Sequence, residues 1–417
     1  MIQHIFKIIW AERKINIWIL LELILIFCIL WFCSDYLFFM AKRHLEPKGF
    51  DIEHTYIINM RLTEEGKRIS SENDSIGEKG MENELWAILD KVKKYPAIEY
   101  ASYSFSSTPY SGSYRGTSYM VDSVEQGVQL KVVTPEFFKV YKIDQLSGAP
   151  LSWDNALNNP IYIGAGNDNL FAKKAPEAVK TINNQYEKSS SNVVGVIQRT
   201  KRSEYDPYHC IVYTAITQNT SLKYNRELSV RVKPTADNNF AETFKKDMQS
   251  QLNTETLSLS SVTPLSDQRK SYMDWNGYSN EFKSIYSITT FLIINIFLGI
   301  IGTFWFRIQS RRSEIGLRIA LGSTKSNVKR MFLGEVTALL FIASVVATIL
   351  CVNIAATDLL KDIGVPIPRR EDSTDAIQHI INYTITFLFL LVTACIAVWY
   401  PAKKASDIQP TEALRSE

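Results

Sequence analysis

Four stretches of the chain are apolar enough to cross a membrane, and polar segments separate them. Three of them hold 21 residues each without a charge: Tyr286–Phe306, Val336–Ala356 and Ile380–Tyr400. The N-terminal stretch, Ile15–Phe39, holds 25 residues and contains Glu22 and Asp35. A membrane helix needs about 20 predominantly apolar residues. The pattern predicts one span near the N-terminus and three spans in the C-terminal third.

The segments between the spans set the expected domain organisation. The N-terminal stretch is too long for a signal peptide, and no small-residue cleavage pattern follows it. The predicted segments are a cytoplasmic amphipathic segment (1–14), transmembrane helix 1 (15–40), an extracytoplasmic domain (41–284), transmembrane helix 2 (285–308), a cytoplasmic coupling loop (309–330), transmembrane helix 3 (331–357), an extracytoplasmic loop (358–379), transmembrane helix 4 (380–400) and a cytoplasmic tail (401–417).

The orientation follows from Lys and Arg in the short loops, which favour the cytoplasmic side. The coupling loop is strongly basic, and the N-terminal segment and the tail carry further basic residues. The loop at 358–379 has more acidic than basic residues. We therefore expect a multi-pass protein of the inner (plasma) membrane with both termini in the cytoplasm.

The large segment between the first two spans alternates strand-like and helix-like patterns. Two β-α-β units are predicted at its ends, with helices at Met81–Lys93 and Asp237–Leu252. Together they predict a split α+β layer of ferredoxin-like type. A β-rich insertion at about 107–225 separates the halves, and its Ser106–Tyr119 segment is predicted to be a mobile loop. The fold class is thus a membrane protein with four helices (1+3) and a large α+β extracytoplasmic domain.

Composition and motifs argue against catalysis on this chain. The 46 basic and 43 acidic residues nearly balance, which excludes recognition of nucleic acid by bulk charge. No phosphate-binding G-x-x-x-x-G-K-[ST] loop, H-E-x-x-H motif or paired Cys spacing occurs. We expect no catalytic residue, metal site or cofactor on the chain. Cys210 is the one cysteine of the predicted exported domain, so no disulfide forms within it.

The coupling loop is the most informative segment. Arg311–Thr324 begins with basic residues and continues as a helix-length stretch to Gly322, a good residue for ending a helix. Ser323 is predicted to cap the next helix. One interpretation is an interfacial turn rich in positive charge. The other is a short helix along the inner membrane surface that docks a cytoplasmic partner.

Two motifs resemble the FtsX-like permease family of ABC transporters, of the MacB (type VII) kind. Glu314–Ser323 is similar to the family's E-I-G-[IL]-R-x-A-[LI]-G-[AS] segment, and Tyr400–Arg415 is similar to its P-A-[RK]-[RK]-A-x-x-[IL]-x-P-x-E-A-L-R ending. A weaker resemblance lies at Thr134–Phe138 followed by Gly148. The arrangement of one plus three spans also fits the family.

The resemblance implies a permease subunit that transmits ATP-driven movement to its periplasmic domain. A separate P-loop ATPase subunit would bind ATP and magnesium, and the permease would form a homodimer or pair with a paralogue. A membrane-fusion protein and an outer-membrane channel are further implied partners, beside the lipid bilayer. The residues expected to contact the ATPase are Arg311, Arg312, Glu314, Ile315, Gly316, Arg318, Ala320, Leu321, Gly322 and Ser323.

Several functions remain open at this point. The leading hypothesis is efflux of a drug, peptide or amphipathic molecule. Lipoprotein release and antimicrobial-peptide resistance are alternatives, and regulation of a cell-wall hydrolase is an alternative of another class. The cargo and the type of cell envelope are not fixed by the sequence.

Glu22 is unusual because a carboxylate inside a span costs about 2.5–3.5 kcal/mol at the bilayer centre. Glu22 and Asn295 are the predicted intramembrane polar residues. We expect the Glu22 carboxylate to be stabilised by a hydrogen bond that it accepts from Asn295 or Thr303 on a neighbouring helix.

Overall fold

The computed structural model describes residues 7, 9–72, 74–149, 151, 153, 159–166, 169–184, 189–216, 226–356 and 376–407. The chain forms two compact units. We call residues 1–42 together with 279–417 the membrane unit, and residues 43–278 the sheet unit. Most of the predicted loop at 358–379 and the tail beyond residue 407 lie outside the described residues.

Four long helices run through the predicted apolar stretches. They are α1 (Arg13–Leu45), α7 (Tyr278–Ser310), α9 (Lys325–Ala356) and α10 (Ala376–Ser406). Among the described residues, these four are long and apolar enough to cross a membrane. Each predicted run lies inside one helix, and polar turns extend the helix beyond the run. A short helix, α8 (Arg312–Ala320), lies between α7 and α9 in the chain.

The helices of the membrane unit pack through small and aromatic side chains. Ala343 and Ala347 of α9 and Ala397 of α10 are fully buried where these two helices meet. Small side chains let helix backbones approach closely in lipid. Trp31 of α1 stacks on Tyr383 of α10, with ring centroids 5.5 Å apart. The unit therefore has its own continuous apolar core.

The sheet unit is built on one mostly antiparallel sheet. Its strands are β1 (Thr55–Leu62), β2 (Ile98–Phe105), β3 (Arg115–Val121), β4 (Val124–Val133), β5 (Pro160–Gly164), β6 (Thr181–Asn184), β7 (Ser189–Ile197), β8 (Ile211–Ala215), β9 (Glu227–Val232) and β10 (Leu257–Pro264). Within the described residues their order is β10-β1-β9-β2-β4-β3-β6-β7-β5-β8. The pairs β4–β8 and β5–β7 are parallel.

Helices cover the first four strands of that order. The helices of the sheet unit are α2 (Glu64–Glu72), α3 (Ser75–Lys93), α4 (Phe137–Tyr141), α5 (Phe240–Leu252) and α6 (Leu265–Trp275). The chain runs β1-α2-α3-β2 at one end of the unit and β9-α5-β10 at the other. In α5, every fourth residue from Phe240 to Leu252 is buried, as the apolar stripe predicts.

The two helix starts differ from the prediction. The helix predicted from Met81 begins six residues earlier, because Asp74 accepts hydrogen bonds from the backbone N–H groups of Ile76 and Gly77, both at 3.1 Å. This is an N-cap, which satisfies amide groups that lack a partner in the first turn. The helix predicted from Asp237 begins at Phe240, after a 3-10 turn over Pro234–Ala236.

The Ser106–Tyr119 segment is a loop over residues 106–114, as its composition predicted, but not over its whole length. Its second part belongs to β3, and residues 107–111 are buried. The Glu227 carboxylate accepts bonds from the Ser107 backbone N–H at 3.0 Å and from the Ser104 and Ser111 hydroxyls at 2.8 and 3.1 Å. The serine-rich composition did not indicate that the segment is fixed in place, because its hydrogen-bond acceptor, Glu227, lies about 120 residues away in the chain.

The sheet unit also buries two lysines. Lys131 is 6% exposed and hydrogen-bonds to no described residue, and its Nζ lies 5.4 Å from the Tyr213 ring centroid. Burial lowers the pKa of Lys131 to about 8, with nearby Glu227 opposing the shift. Lys201 is paired instead, since its Nζ lies 2.7 Å from Glu46 Oε2.

Candidate functional site

The residues with the family resemblance form α8 and the turn that follows it. The helix ends in a Schellman motif: the Gly322 N–H donates to the Ile319 carbonyl at 3.0 Å, and the Ser323 N–H donates to the Arg318 carbonyl at 2.9 Å. Gly322 has φ +97°, a conformation that side chains disfavour. The glycine therefore sets the sharp exit from α8.

The cap of the next helix falls one residue later than predicted. The Thr324 hydroxyl accepts a hydrogen bond from the Asn327 backbone N–H at 3.3 Å, and α9 begins at Lys325. Thr324, rather than Ser323, is thus the N-cap of α9. Ser323 instead supplies the N–H that completes the end of α8.

The ten residues predicted to contact an ATPase fall on different sides of α8. Three are buried in the membrane unit, namely Arg311, Ile315 and Gly316. Arg312, Arg318 and Ser323 are half-buried, while Glu314, Ala320, Leu321 and Gly322 are exposed. The outer face also carries Leu317, four residues before Leu321, and these two leucines are 51% and 79% exposed. We call Leu317 and Leu321 the outer leucine pair.

An ion pair lies beside the outer leucine pair. Arg318 Nη2 bonds Glu314 Oε1 one helical turn away, and Arg318 also contacts the Met331 sulfur of α9. Residues four apart share one helix face, as expected. The pair braces α8 against α9, and the Glu314 carboxylate is still half-exposed. The geometry is compatible with both bracing and contact with a partner.

A network of buried charges holds the start of α8. Arg307, near the end of α7, and Arg311 each bond one oxygen of the Glu335 carboxylate in α9. The Arg311 Nη1–Glu335 Oε2 distance is 3.2 Å, and Arg311 Nε donates to Glu12 Oε1 at 2.8 Å. Arg307 also bonds Asn16 of α1. We call these five residues the arginine–glutamate network.

The network joins three parts of the chain, namely the N-terminal segment, the junction of α7 and α8, and the first part of α9. Glu335 is 1% exposed and Arg307 4% exposed, so their attraction is only weakly screened by water. Two arginines face two glutamates, which balances the charge. Because one carboxylate bridges both guanidinium groups, α7, α8 and α9 are tied together, and Glu12 and Asn16 add the N-terminal helix.

Sequence reasoning missed most of this network. Arg311 was predicted to contact the ATPase, and Glu335 and Glu12 were not singled out. One signal was present: Glu335 directly precedes an uncharged run of 21 residues, where an acidic residue is costly without a partner.

The intramembrane polar residues differ from expectation. Glu22 lies against Gly299 of α7, close enough that a Cβ on that glycine would lie 2.7 Å from Glu22 Oε1. Asn295 donates to the Phe291 carbonyl of its own helix at 3.4 Å, and among the described residues Glu22 bonds neither Asn295 nor Thr303. Asp35, by contrast, is buried and bonds Asn382 of α10.

The described residues contain no group of three or more His, Cys, Asp or Glu side chains placed to hold a metal ion. The candidate site is a short helix with an exposed apolar pair, fixed at its start by buried charges and at its end by a glycine turn.

Comparison with known proteins assigns this region to a family. Residues 286–410 match the model of the FtsX-like permease C-terminal domain. The chain thus carries an FtsX-like permease domain that includes most of α7 and all of α8, α9 and α10. The family resemblance of the coupling loop is confirmed.

Two relatives of this chain carry the names of export proteins. The chain is 28% identical over 120 residues to the pyoverdine export ATP-binding/permease protein PvdT of Pseudomonas savastanoi pv. phaseolicola, and 26% identical over 120 residues to the macrolide export ATP-binding/permease protein MacB of Marinobacter nauticus. In both cases the match covers 29% of this chain and 17% of the relative.

Two solved structures share a general likeness with this chain. The periplasmic region of MacB from Actinobacillus actinomycetemcomitans aligns with a TM-score of 0.32 at 14% identity, covering 55% of this chain and 97% of that one. The extracellular domain of the transporter YknZ from Gram-positive bacteria aligns with a TM-score of 0.29 at 12% identity, covering 42% and 87%. Scores this low carry no functional argument.

Proposed function

We propose that the chain is the permease subunit of a mechanotransmission ABC transporter, with ATP hydrolysed by a separate cytoplasmic subunit. The observation that carries the proposal is α8, a helix inside the matched permease domain with an anchored inner face and an exposed apolar outer face. An exposed apolar pair beside charged residues is typical of a protein interface. The docking partner would be a P-loop ATPase.

The arginine–glutamate network gives this docking a mechanical consequence. A partner that moves α8 pulls on Arg311. The Arg311 guanidinium is bonded to Glu335 of α9 and to Glu12 of the N-terminal segment. α1 and α7 also continue directly into the sheet unit along the chain. Movement of α8 therefore reaches both helices that lead to the sheet unit.

The roles of the ten predicted residues divide accordingly. We assign direct contact with the ATPase to Glu314, Ala320, Leu321 and their exposed neighbour Leu317. Arg311, Ile315 and Gly316 act by positioning α8, because they are buried.

Co-purification tests the proposal. The full chain, tagged and extracted in mild detergent, should bring down a P-loop ATPase. Leu321→Asp should abolish this, and Glu314→Lys should weaken it. Ile76→Asp is the matched control, since Ile76 is 85% exposed and lies in the sheet unit. If the unmodified chain retains no ATPase, or if Leu321→Asp retains it fully, the proposed docking is wrong.

Export is the activity we favour for the whole complex. The names of PvdT and MacB refer to export of pyoverdine and of macrolides, which supports a drug, peptide or amphipathic cargo for this chain as well. We further propose an inner-membrane location with both termini in the cytoplasm and a homodimer or paralogous pair of permeases. A membrane-fusion protein among the co-purified partners supports efflux, whereas a cell-wall hydrolase supports regulation.

We also infer a ferredoxin-like layer within the sheet unit. The strands β10-β1-β9-β2 are neighbours and antiparallel, and the connections through α2–α3 and through α5 join alternate strands. The strands β3 to β8 then form the β-rich insertion between its halves.

A further inference from the structure

A cleft of about 640 Å³ opens in the membrane unit between the end of α7 and the end of α10. Trp305 forms part of its wall from α7, and Trp399 and Tyr400 form part from α10. The two aromatic residues of α10 are 54% and 53% exposed. Trp and Tyr concentrate where a span meets the lipid headgroups. The cleft thus lies at the polar boundary of two spans.

The cleft is also basic. Its lining includes Arg312, the first residue of α8, and Lys403 and Lys404 of α10. Lys403 Nζ lies 5.5 Å from the Trp399 ring centroid, which holds a cation beside the aromatic wall. The one carboxylate in the lining is Asp407.

The Asp407 carboxylate already forms an ion pair. Lys325 Nζ lies 2.8 Å from Asp407 Oδ1. The bond to Lys325 lowers the pKa of Asp407, so this carboxylate stays ionised and paired. Lys403 and Lys404 are exposed cations of the lining, and they give the cleft an excess of positive charge.

We propose that this cleft binds the headgroup of an anionic phospholipid. The phosphate would lie among Arg312, Lys403 and Lys404, and the glycerol and upper acyl chains would lie against Trp305, Trp399 and Tyr400. Basic pockets between spans on the cytoplasmic side are suited to such headgroups. The volume is in the usual range for a small-molecule site, about 300–1,000 Å³.

The site has a consequence for α8. A headgroup held by Arg312 touches the first residue of that helix, directly after Arg311 of the arginine–glutamate network. An anionic lipid would therefore stabilise the position of the helix to which we assign ATPase docking. The inference requires that α7 and α10 cross the membrane, and it does not depend on the identity or presence of an ATPase.

Lipid titration of the full chain tests this inference. The protein in an uncharged detergent is titrated with phosphatidylglycerol and with phosphatidylcholine of identical acyl chains, and bound lipids are counted by native mass spectrometry. We expect one phosphatidylglycerol per chain to bind roughly 30- to 150-fold more tightly than phosphatidylcholine, as two or three surface cations would produce. Phosphatidylglycerol should also raise the unfolding temperature.

Two variants separate the cleft from general surface charge. Lys403→Gln/Lys404→Gln should lose the preference, and Lys403→Arg/Lys404→Arg should keep it. Both lysines are exposed, so these variants should fold. The control Lys14→Gln/Arg330→Gln removes two exposed cations outside the cleft and should keep the preference. Equal binding of both lipids by the unmodified chain, or equal losses in the cleft variant and the control, would overturn the proposal.

Discussion

The membrane unit and the sheet unit both bury charged side chains, but they stabilise them differently. In the membrane unit, Arg307 and Arg311 are bound to Glu335, and Arg311 also bonds Glu12. In the sheet unit, Lys201 is likewise paired with Glu46, but Lys131 is buried near Glu227 and makes no hydrogen bond within the described part of the chain. The buried arginines of the membrane unit are held in ion pairs, whereas burial lowers the pKa of Lys131, which has no such pair.

The residue types explain the difference. A guanidinium group does not lose its proton in proteins, so a buried arginine needs an opposite charge. A lysine can become neutral when burial lowers its pKa, and so it tolerates an apolar site. The buried charges of the membrane unit hold α8 in position. The buried charge of Lys131 lowers the stability of the sheet unit.

The largest expected effect is the loss of the shared carboxylate. Glu335→Ala leaves two buried guanidinium groups without their common acceptor, and breaking a buried ion pair from one side costs about 3–5 kcal/mol. We expect poor yield and a much lower unfolding temperature in detergent. Glu314→Ala removes an exposed carboxylate from the same region and is the control. Similar unfolding temperatures for the two variants would mean that the network contributes little.

The second prediction concerns pH and Lys131. With a folded pKa of about 8 and an unfolded value near 10.5, the penalty for the buried charge is complete below pH 8. Between these values only the unfolded chain holds the proton, so stability rises with pH. The full difference is about 3 kcal/mol.

Lys131→Met should remove this dependence and stabilise the sheet unit at pH 7. Thermal unfolding of the full chain between pH 7 and 9.5 measures it, with Lys79→Met as an exposed control. A variant whose unfolding temperature follows the same pH curve as the unmodified chain contradicts the assignment. Measurements stop at pH 9.5 because buried tyrosines with raised pKa values, such as Tyr103 and Tyr141, lower stability at higher pH.

A smaller effect is expected at the end of α8. Gly322→Ala places a side chain at φ +97°, which costs about 1–2 kcal/mol. The helix end should loosen, and ATPase retention should fall while the fold is kept. Hydrogen exchange of the Gly322 and Ser323 amides reports the loosening directly. Gly80→Ala is a suitable control, because a Cβ there meets no neighbouring atom.

The smallest effect on stability is expected for the Glu314–Arg318 pair. Exchanging the two residues keeps an ion pair on the same face and should change stability by no more than about 0.5 kcal/mol. ATPase retention decides the role of the pair. Loss of retention in the exchanged variant indicates direct contact by charge, and full retention indicates bracing.

The sequence analysis located the spans and α8 because both are encoded locally. Apolar runs, a basic loop and a glycine after nine helical residues are visible without tertiary information. The network was not predictable in the same way. Glu12, Arg307 and Glu335 are separated by up to about 320 residues, and their partners are fixed only when the helices pack.

Two local predictions were incomplete for related reasons. The segment after Ser106 was predicted as a loop throughout, but residues 115–119 belong to β3, and the remaining loop is held by Glu227 at the far end of the insertion. Glu22 was predicted to find a polar partner across the helix pair, but Gly299 faces it instead. In both cases the sequence shows that the residues are polar. It does not show which group of the folded chain each of them contacts.

The charge balance of the arginine–glutamate network also bears on how the membrane potential acts on this protein. A single charge that crosses the whole membrane changes its electrostatic energy by about 2.3 kcal/mol per 100 mV of membrane potential. With its two arginines and two glutamates ionised, the arginine–glutamate network has no net charge. If the whole network shifts with α8, the membrane potential therefore contributes almost no energy to that shift. The movement of α8 that we propose should therefore be equally large in energised and de-energised membranes.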